Sequence, residues 1–127
     1  MEMPNDNIAV WFEIPASDLT RASTFYSGVF DTQLVDQDMG ELRMALFPHN
    51  TLSSVSGAIV KGKGYIPSHE GNIVYLNGGK DLAAPLSRVE QHGGTIVMPK
   101  TFLGEKIGYI ALFNDSEGNR IGLHSMN

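Results

Sequence analysis

Residues 8–30 read IAVWFEIPASDLTRASTFYSGVF, and this stretch decides the fold of the chain. Its first eight residues are β-branched, aromatic and aliphatic with Glu13 as the only charge, which predicts a mostly buried strand ending at Pro15. Ser17 and Asp18 then offer helix-capping side chains. Apolar residues follow at the three- and four-residue spacing of an amphipathic helix, namely Leu19, Ala22, Phe25, Tyr26, Val29 and Phe30. The stretch therefore predicts a strand followed by a helix that packs on a sheet.

The rest of the chain repeats this order of elements. Three short strands are predicted next, in residues 32–36, 42–47 and 55–60. A linker punctuated by Gly and Pro follows, and the pattern restarts with a strand at 72–77, a helix at 81–91 that ends at Gly93, and strands at 95–98, 107–113 and 120–125. Two halves of order β-α-β-β-β predict a duplicated α+β protein. A single mixed sheet with two helices and no internal symmetry is the alternative that the pattern alone leaves open.

These elements divide the chain within one structural domain. We expect a flexible N-terminus at residues 1–7, a first βαβββ module at 8–62, a linker at 63–70 and a second βαβββ module at 71–127. The segment KGKGY at residues 61–65 has no helix after it to hold an anion, so it is interpreted as an inter-module connection over the cavity mouth. The glycine pair at 78–79 is interpreted as a tight β-to-α turn, although an anion site is its alternative.

Composition excludes several functional classes. With no Cys among 127 residues, disulfide frameworks, thiolate nucleophiles and cysteine-bound metals are ruled out. A net charge of −5, with nine scattered Lys and Arg, argues against nucleic acid as a partner. No stretch is long and apolar enough to span a bilayer, and residues 1–7 lack signal-peptide features. We therefore expect a cytoplasmic location and no membrane partner.

Three segments carry a resemblance to a known family. IPASDL at 14–19 runs into a helix that bears Phe25 and Tyr26, DSEGNRI at 115–121 precedes the last strand, and Gly93-Gly94 precedes residues 95–99. In this order and spacing they resemble the vicinal oxygen chelate family, in particular its small glyoxalase/bleomycin resistance/dioxygenase members. The resemblance implies two βαβββ modules whose curved sheets surround a shared cavity, and pairing into a homodimer.

The resemblance also implies where a metal would be held. Enzymes of the family bind a divalent ion with His and Glu on the first and last strands of each module. Carried over to this sequence, those positions are Trp11, Gly57 or Ala58, Asn72 or Ile73, and Gly122. An indole, an amide and residues without polar side chains do not form a metal site. We therefore expect no metal and no other cofactor.

Strand periodicity identifies the residues that face the cavity. If the position of Trp11 faces inward, Glu13 does too, and if Gly122 faces inward, Arg120 and His124 do too. Ile73, Tyr75 and Asn77 share that face of the fifth strand. The candidate ligand-binding residues are thus Trp11, Glu13, Ile73, Tyr75, Asn77, Arg120 and His124, and the candidate catalytic residues are Glu13, His124 and Arg120.

Each candidate has a structural alternative. Glu13 is either a general base or half of an ion pair with Arg120 or Lys106. His124 is either its acid/base partner or a solvated terminal residue. Trp11 and Tyr75 either stack on a planar ligand or fill the space that a metal would occupy. The remaining histidines, His49, His69 and His92, are expected at the surface.

Two functions follow as hypotheses. The first is a metal-independent lyase or isomerase of glyoxalase type that uses Glu13 for proton transfer next to a carbonyl, with a small polar or aromatic substrate. The second is a non-catalytic protein that sequesters a small molecule, as drug-resistance members of the family do. Fold does not choose between them. A third reading is metal binding through an unfamiliar pair, Glu13 and His124.

Overall fold

The fold is taken from a computed structural model that describes residues 7–48 and 54–127. The elements in chain order are β1 (Trp11–Pro15), α1 (Leu19–Phe30), β2 (Val35–Met39), β3 (Leu42–Leu46), β4 (Ser56–Lys61), β5 (Val74–Asn77), α2 (Ala83–Leu86), a 3-10 turn (Glu90–His92), β6 (Thr95–Gly104), β7 (Gly108–Asn114) and β8 (Arg120–Ser125). Each predicted strand and helix has a counterpart in this series.

The strands form two four-stranded sheets of the same topology. The first has the order β1-β4-β3-β2 and the second the order β5-β8-β7-β6. In each sheet the first strand pairs in parallel with the last, and the remaining neighbours are antiparallel. This repetition confirms the duplicated βαβββ arrangement, and the alternative of one mixed sheet is wrong. The boundaries of the modules at residues 62 and 71 stay a prediction.

Helix α1 forms as its sequence predicts. Asp18 has extended backbone, with φ −132°, and its carboxylate accepts a hydrogen bond from the Arg21 N–H at 3.0 Å, which caps the helix. The helix ends where Asp31 adopts a left-handed conformation with φ 49°. The buried side chains of α1 are Leu19, Ala22, Phe25, Tyr26 and Val29, the predicted apolar face.

One continuous hydrophobic core joins the two modules. The Phe25 ring of α1 packs against Phe113 of β7, with centroids 6.0 Å apart, and the Tyr26 ring packs edge-on against Phe47, with centroids 5.5 Å apart. Both sheets therefore turn their core-facing sides toward α1. The opposite side of each sheet, here called its outer face, is directed away from this core.

Alternation along the strands is confirmed. Ile14 of β1 and Leu123 of β8 are buried in the core, while Trp11 keeps 48% of its surface exposed on the outer face. Tyr75 of β5 pairs with Gly122 of β8, so both lie on the outer face of the second sheet.

The second helix is shorter than predicted. Only residues 83–86 are α-helical, because the hydrogen bonds switch to a three-residue spacing from the Arg88 N–H onward. Pro85 offers no N–H to the ladder, so this helix has few bonds of its own. Packing holds the segment instead, since Leu82 and Val89 are completely buried, and Gly93 ends it with φ 102°.

Strand boundaries also differ from the prediction. β1 begins at Trp11 rather than at residue 8, because its parallel partner β4 begins opposite at Ser56. β2 spans Val35–Met39, later than predicted, since its register is set by pairing with β3. β6 extends to Gly104 and reaches this length through register shifts against β7.

Candidate functional site

A cavity of about 190 Å³ lies at the junction of the two modules, between the end of β1 and the start of β5 and β8. We call it the inter-module cleft. Its walls are Glu13, Ile14, Pro15, Ile66, Ser68, Glu70, Asn72, Val74, Asn119, Arg120 and Ile121. The cleft thus draws on both modules and on the connection between them, which contributes Ile66, Ser68 and Glu70 to its walls.

Asn119 holds the walls of the cleft together. This residue is buried immediately before β8. Its amide nitrogen donates to the Pro15 carbonyl at 2.7 Å, and its amide oxygen accepts from the Ser68 N–H at 3.0 Å. One side chain therefore ties β1 of the first module and the inter-module connection to the second module.

A buried hydrogen-bond network supports Asn119 from below. The Tyr26 hydroxyl of α1 donates to the Asp115 carboxylate at 2.6 Å, and that carboxylate also accepts from the backbone N–H groups of Glu117 and Asn119. Asp115 is only 4% exposed. Burial, together with the adjacent Asp115 carboxylate, raises the pKa of Tyr26 well above its usual value.

Glu117 adds a second joint between the modules. Its carboxylate accepts from the Ser17 and Asp18 N–H groups, each at 2.9 Å, and from the Arg21 guanidinium at 2.7 Å. Burial opposes ionisation of this covered side chain, but the bonds from Arg21 and the backbone outweigh it and lower the pKa of Glu117. The turn at residues 115–119 therefore binds the backbone just before helix α1 of the other module.

Glu13 presents its carboxylate in the cleft. One oxygen accepts from the Tyr65 hydroxyl at 2.9 Å and the other from the Trp11 indole N–H at 3.4 Å. The hydrogen bond to Glu13 raises the pKa of Tyr65. Within the described ranges, Glu13 makes no ion pair with Arg120 or Lys106 at 4 Å or less, so the structural ion pair is not formed.

Arg120 lies in the same cleft. Its side chain is half-buried, and its Nε donates to the Asn114 amide oxygen at 3.4 Å. Of the seven candidate residues, Glu13 and Arg120 are the two that line the cleft. They carry opposite charges and do not pair with each other.

The other five candidates lie outside the cleft. Trp11, Ile73 and Tyr75 are exposed on the outer faces. The amide oxygen of Asn77 accepts from the Gly79 N–H at 2.8 Å, and His124 donates from Nε2 to the Ile107 carbonyl. Trp11 alternates with Glu13 along β1, and His124 alternates with Arg120 along β8, so each shares a strand face with a cleft residue but lies two or more residues away along the strand. His124 and Glu13 have different hydrogen-bond partners, and of the two only Glu13 lines the cleft.

The residues present do not fit a divalent metal. At the last ligand position of the family, a side chain added to Gly122 would meet the ring of Tyr75 at 2.4 Å, so Tyr75 occupies that space. No group of three His, Asp or Glu side chains with metal-binding geometry occurs in the described part of the chain. The pair Glu13 and His124 does not supply one, since the two residues have separate partners.

The sequence did not identify every residue of the cleft. Ile66, Ser68 and Glu70 of the cleft walls belong to the inter-module connection, whose Gly and Pro content indicated only a linker, and Tyr65 of the same segment bonds to Glu13. Gly64 and Gly71 have φ of 89° and 95°, a left-handed backbone that shapes this connection where it passes over the cleft. Polar residues between such glycines were the only available signal.

A second cavity of about 290 Å³ opens near the C-terminal end of α1. Apolar side chains dominate its walls, among them Phe12, Phe30, Phe47 and Leu76. Asn77 stands at this cavity rather than at the inter-module cleft. The described residues thus include a cleft with charged walls and a cavity with mainly apolar walls.

The remaining sequence predictions concern turns and histidines. The glycine pair at 78–79 forms a β-to-α turn, as expected. His69 is exposed and His49 lies outside the described residues. The surface prediction is wrong for His92, whose half-buried ring packs against Gly28 and donates from Nδ1 to the Arg88 carbonyl.

Comparisons with known proteins agree with this architecture. A glyoxalase/bleomycin resistance protein from Streptomyces sp. CB03234 has 24% identity and a TM-score of 0.67, with coverage of 91% of this chain and 98% of its own. An antibiotic binding protein from the same organism has 22% identity and a TM-score of 0.63 over 98% of each chain. A glyoxalase I mutant from Zea mays has 17% identity and a TM-score of 0.68 over 92% of this chain, which spans only 45% of that enzyme.

These likenesses show the fold. A search of curated proteins gave no match. In the described residues, no helix has the length and apolar character needed to cross a membrane. The profile of the Glyoxalase/Bleomycin resistance protein/Dioxygenase superfamily matches residues 8–123, and the chain belongs to that superfamily.

Proposed function

We propose that this protein binds a small polar molecule in the inter-module cleft and does so without a metal or chemical conversion. One observation carries the proposal: Glu13 and Arg120 line the same cleft and leave their charges unpaired with each other. Glu13 is exposed and Arg120 is half-buried, so a ligand can reach both charges. A polar ligand gains charge-assisted hydrogen bonds from such groups.

The arrangement of candidate acids and bases favours binding over catalysis. His124, the expected partner of Glu13 in proton transfer, bonds to the Ile107 carbonyl and does not line the cleft. The antibiotic binding protein from Streptomyces sp. CB03234 shares the fold and is described as a binder. Sequestration of a small molecule is therefore the function that the geometry supports best.

Trp11 offers a direct assay. It is the only Trp of the chain, and its indole N–H donates to Glu13, so a ligand that displaces this contact changes the fluorescence. A fragment library screened by fluorescence and by amide NMR shifts should yield ligands that perturb the cleft. Glu13→Gln and Arg120→Gln should weaken them about 10-fold or more, as expected for charge-assisted hydrogen bonds.

A matched control separates this effect from a general loss of charge. Lys100 pairs with Asp81 away from the cleft, so Lys100→Gln should leave ligand affinity unchanged. The proposal fails if library ligands shift only resonances of the apolar cavity around Phe30 and Phe47, or if Glu13→Gln and Arg120→Gln bind as the wild type does.

One contact supports a second candidate function. The Tyr65 hydroxyl lies 2.9 Å from the Glu13 carboxylate, so the cleft holds a base and a proton donor side by side. A metal-independent lyase or isomerase would use Glu13 to remove a proton next to a carbonyl. In that case Glu13→Gln abolishes any turnover found and Tyr65→Phe reduces it. An undiminished rate in Glu13→Gln removes Glu13 from the role.

We also propose a homodimer located in the cytoplasm. The dimer is supported by large apolar side chains on the outer faces and strand ends, including Trp11, Tyr75 and Phe102, which are each exposed by 45% or more. Sedimentation velocity over a range of concentrations should show a dimer, and a concentration-independent monomer would contradict it. The cytoplasmic location rests on the sequence alone.

A further inference from the structure

We infer that the ligand of the inter-module cleft is a small zwitterion of the amino-acid type, with one carboxylate and one ammonium group. The inference rests on the proposed binding function and specifies its ligand class. It follows from the charges, the free hydrogen-bonding groups and the size of the cleft.

Arg120 supplies the positive charge that binds the ligand carboxylate. Only its Nε has a hydrogen-bond partner among the described residues, the amide oxygen of Asn114 at 3.4 Å. The two terminal amino groups of the guanidinium are left to bind a ligand. Their fixed planar geometry matches the two oxygens of a carboxylate, which they bind in parallel. A ligand carboxylate is therefore the natural partner of Arg120.

Glu13 and Glu70 supply the negative charges that bind the ligand ammonium group. The backbone N–H of Glu70 donates to the Ser68 hydroxyl. The side-chain carboxylate of Glu70 accepts no hydrogen bond within the part of the chain that the structure describes. Both carboxylates line the cleft together with the single cation Arg120. Two like charges in one site favour a cation between them. An ammonium group has three donors and no acceptor, which suits this excess of acceptors.

Size and apolar surface restrict the ligand further. A cavity of about 190 Å³ is smaller than the roughly 300–1,000 Å³ that drug-sized ligands occupy. Ile66, which is 77% exposed, and Val74 offer apolar contact for one short side chain. The cleft therefore suits a molecule of amino-acid size better than a large aromatic compound.

The test compares each amino acid with two analogues, one without the ammonium group and one without the carboxylate. The twenty common amino acids are titrated against the full-length protein, with Trp11 fluorescence and amide NMR shifts as readouts. For valine the matched probes are isovalerate, which lacks the ammonium group, and isobutylamine, which lacks the carboxylate. At least one amino acid should bind, and its deaminated and decarboxylated analogues should bind at least 10-fold more weakly.

Charge variants test which side chain binds each charged group of the ligand. Arg120→Gln should remove the advantage of the amino acid over its amine, and Glu70→Gln should remove its advantage over its acid. Glu105→Gln, in the exposed turn between β6 and β7, is the control and should bind as the wild type does. Far-ultraviolet circular dichroism of each variant shows whether the fold is retained.

The outcomes separate the ligand class from the binding function. If no amino acid binds but other fragments shift cleft resonances, the zwitterion inference is refuted and the proposed function stands. Equal affinity for an amino acid and one of its analogues refutes it as well. If neither amino acids nor fragments shift cleft resonances, the proposed binding function falls with it.

Discussion

Replacing Tyr26 with Phe tests the joint between the two modules. The substitution removes the hydroxyl that donates to Asp115 at 2.6 Å and keeps the ring in its packing. Because Tyr26 belongs to α1 and Asp115 to the turn before β8, the lost bond links elements 89 residues apart in sequence. We expect a less stable protein of the same fold.

The size of the effect follows from the surroundings of Asp115. A hydrogen bond to a charged group contributes about 1.5–3 kcal/mol. Asp115 keeps the backbone donors of Glu117 and Asn119 and the Asn119 amide, so its carboxylate is not left without partners. The expected loss is therefore about 2 kcal/mol. For a chain of 127 residues this corresponds to a decrease in Tm of about 6–8 °C.

The dependence of the free energy of unfolding on pH above 10 gives a second test of the same substitution. Since the pKa of Tyr26 is raised in the folded protein, the folded state keeps this proton when the unfolded chain releases it, above the ordinary value of 10.0. The stability that depends on this proton is fully present below pH 10 and is lost as the pH rises toward the folded pKa, by at most about 1.4 kcal/mol per pH unit. Tyr26→Phe should show a shallower loss.

Urea unfolding followed by circular dichroism, from pH 7 to pH 11, measures both effects. Tyr109→Phe is the matched control, because the Tyr109 hydroxyl has no hydrogen-bond partner among the described residues, and it should change the free energy of unfolding by less than about 0.5 kcal/mol. Equal stability of Tyr26→Phe and Tyr109→Phe at pH 7, or identical alkaline slopes for wild type and Tyr26→Phe, would refute the reasoning.

Three further perturbations test the other joint, the position of Tyr75 and the metal prediction. Glu117→Gln should lower Tm at pH 7 and make Tm fall less steeply as the pH is lowered. The lowered pKa of Glu117 gives the folded protein a stability that is present above the pKa of the unfolded chain and is lost as the pH falls through the pKa of the folded state. Thermal melts from pH 7 to 3 measure this. Gly122→Ala should lower the free energy of unfolding by about 1–3 kcal/mol through contact with Tyr75, and by less in a Tyr75→Ala background. A double-mutant cycle measured by urea unfolding that shows no coupling between the two substitutions would contradict this prediction. Elemental analysis of untagged protein should find no stoichiometric zinc, nickel, iron or manganese, and chelator should leave Tm unchanged; a bound metal lost in Glu13→Ala would overturn the metal prediction.

Local sequence signals predicted the elements that depend on neighbouring residues. The cap at Asp18, the buried face of α1 and the alternation along β1 and β8 all follow from contacts within a few residues. Boundaries were less accurate where pairing partners set them, as in β2 and β6. The second helix was overestimated because its apolar spacing is helical, whereas its hydrogen bonds are mostly of the three-residue type.

For the candidate site, alternation assigned residues to a face but not to a cavity. Glu13 and Arg120 meet in the cleft because Asn119 and Glu117 join the second module to the end of β1 and the start of α1. Trp11, Tyr75 and His124 do not line the cleft, although the alternation that selected them also selected Glu13 and Arg120. Which residues of a strand reach the cleft depends on where the two modules meet, which no strand pattern reveals.

The sequence by itself determined the duplicated βαβββ order and the superfamily, because these depend on residue type and spacing along the chain. That Trp11 and Gly122 stand at the metal-ligand positions of the family stays a prediction from the resemblance. The tertiary structure alone decided which charged groups share a cleft: it added Glu70 to the cleft and brought the Tyr65 hydroxyl to Glu13. The physical reason is that hydrogen bonds between distant residues, such as the bond from Asn119 to Pro15, fix the relative position of the two modules. Such contacts leave no periodic signal in the sequence.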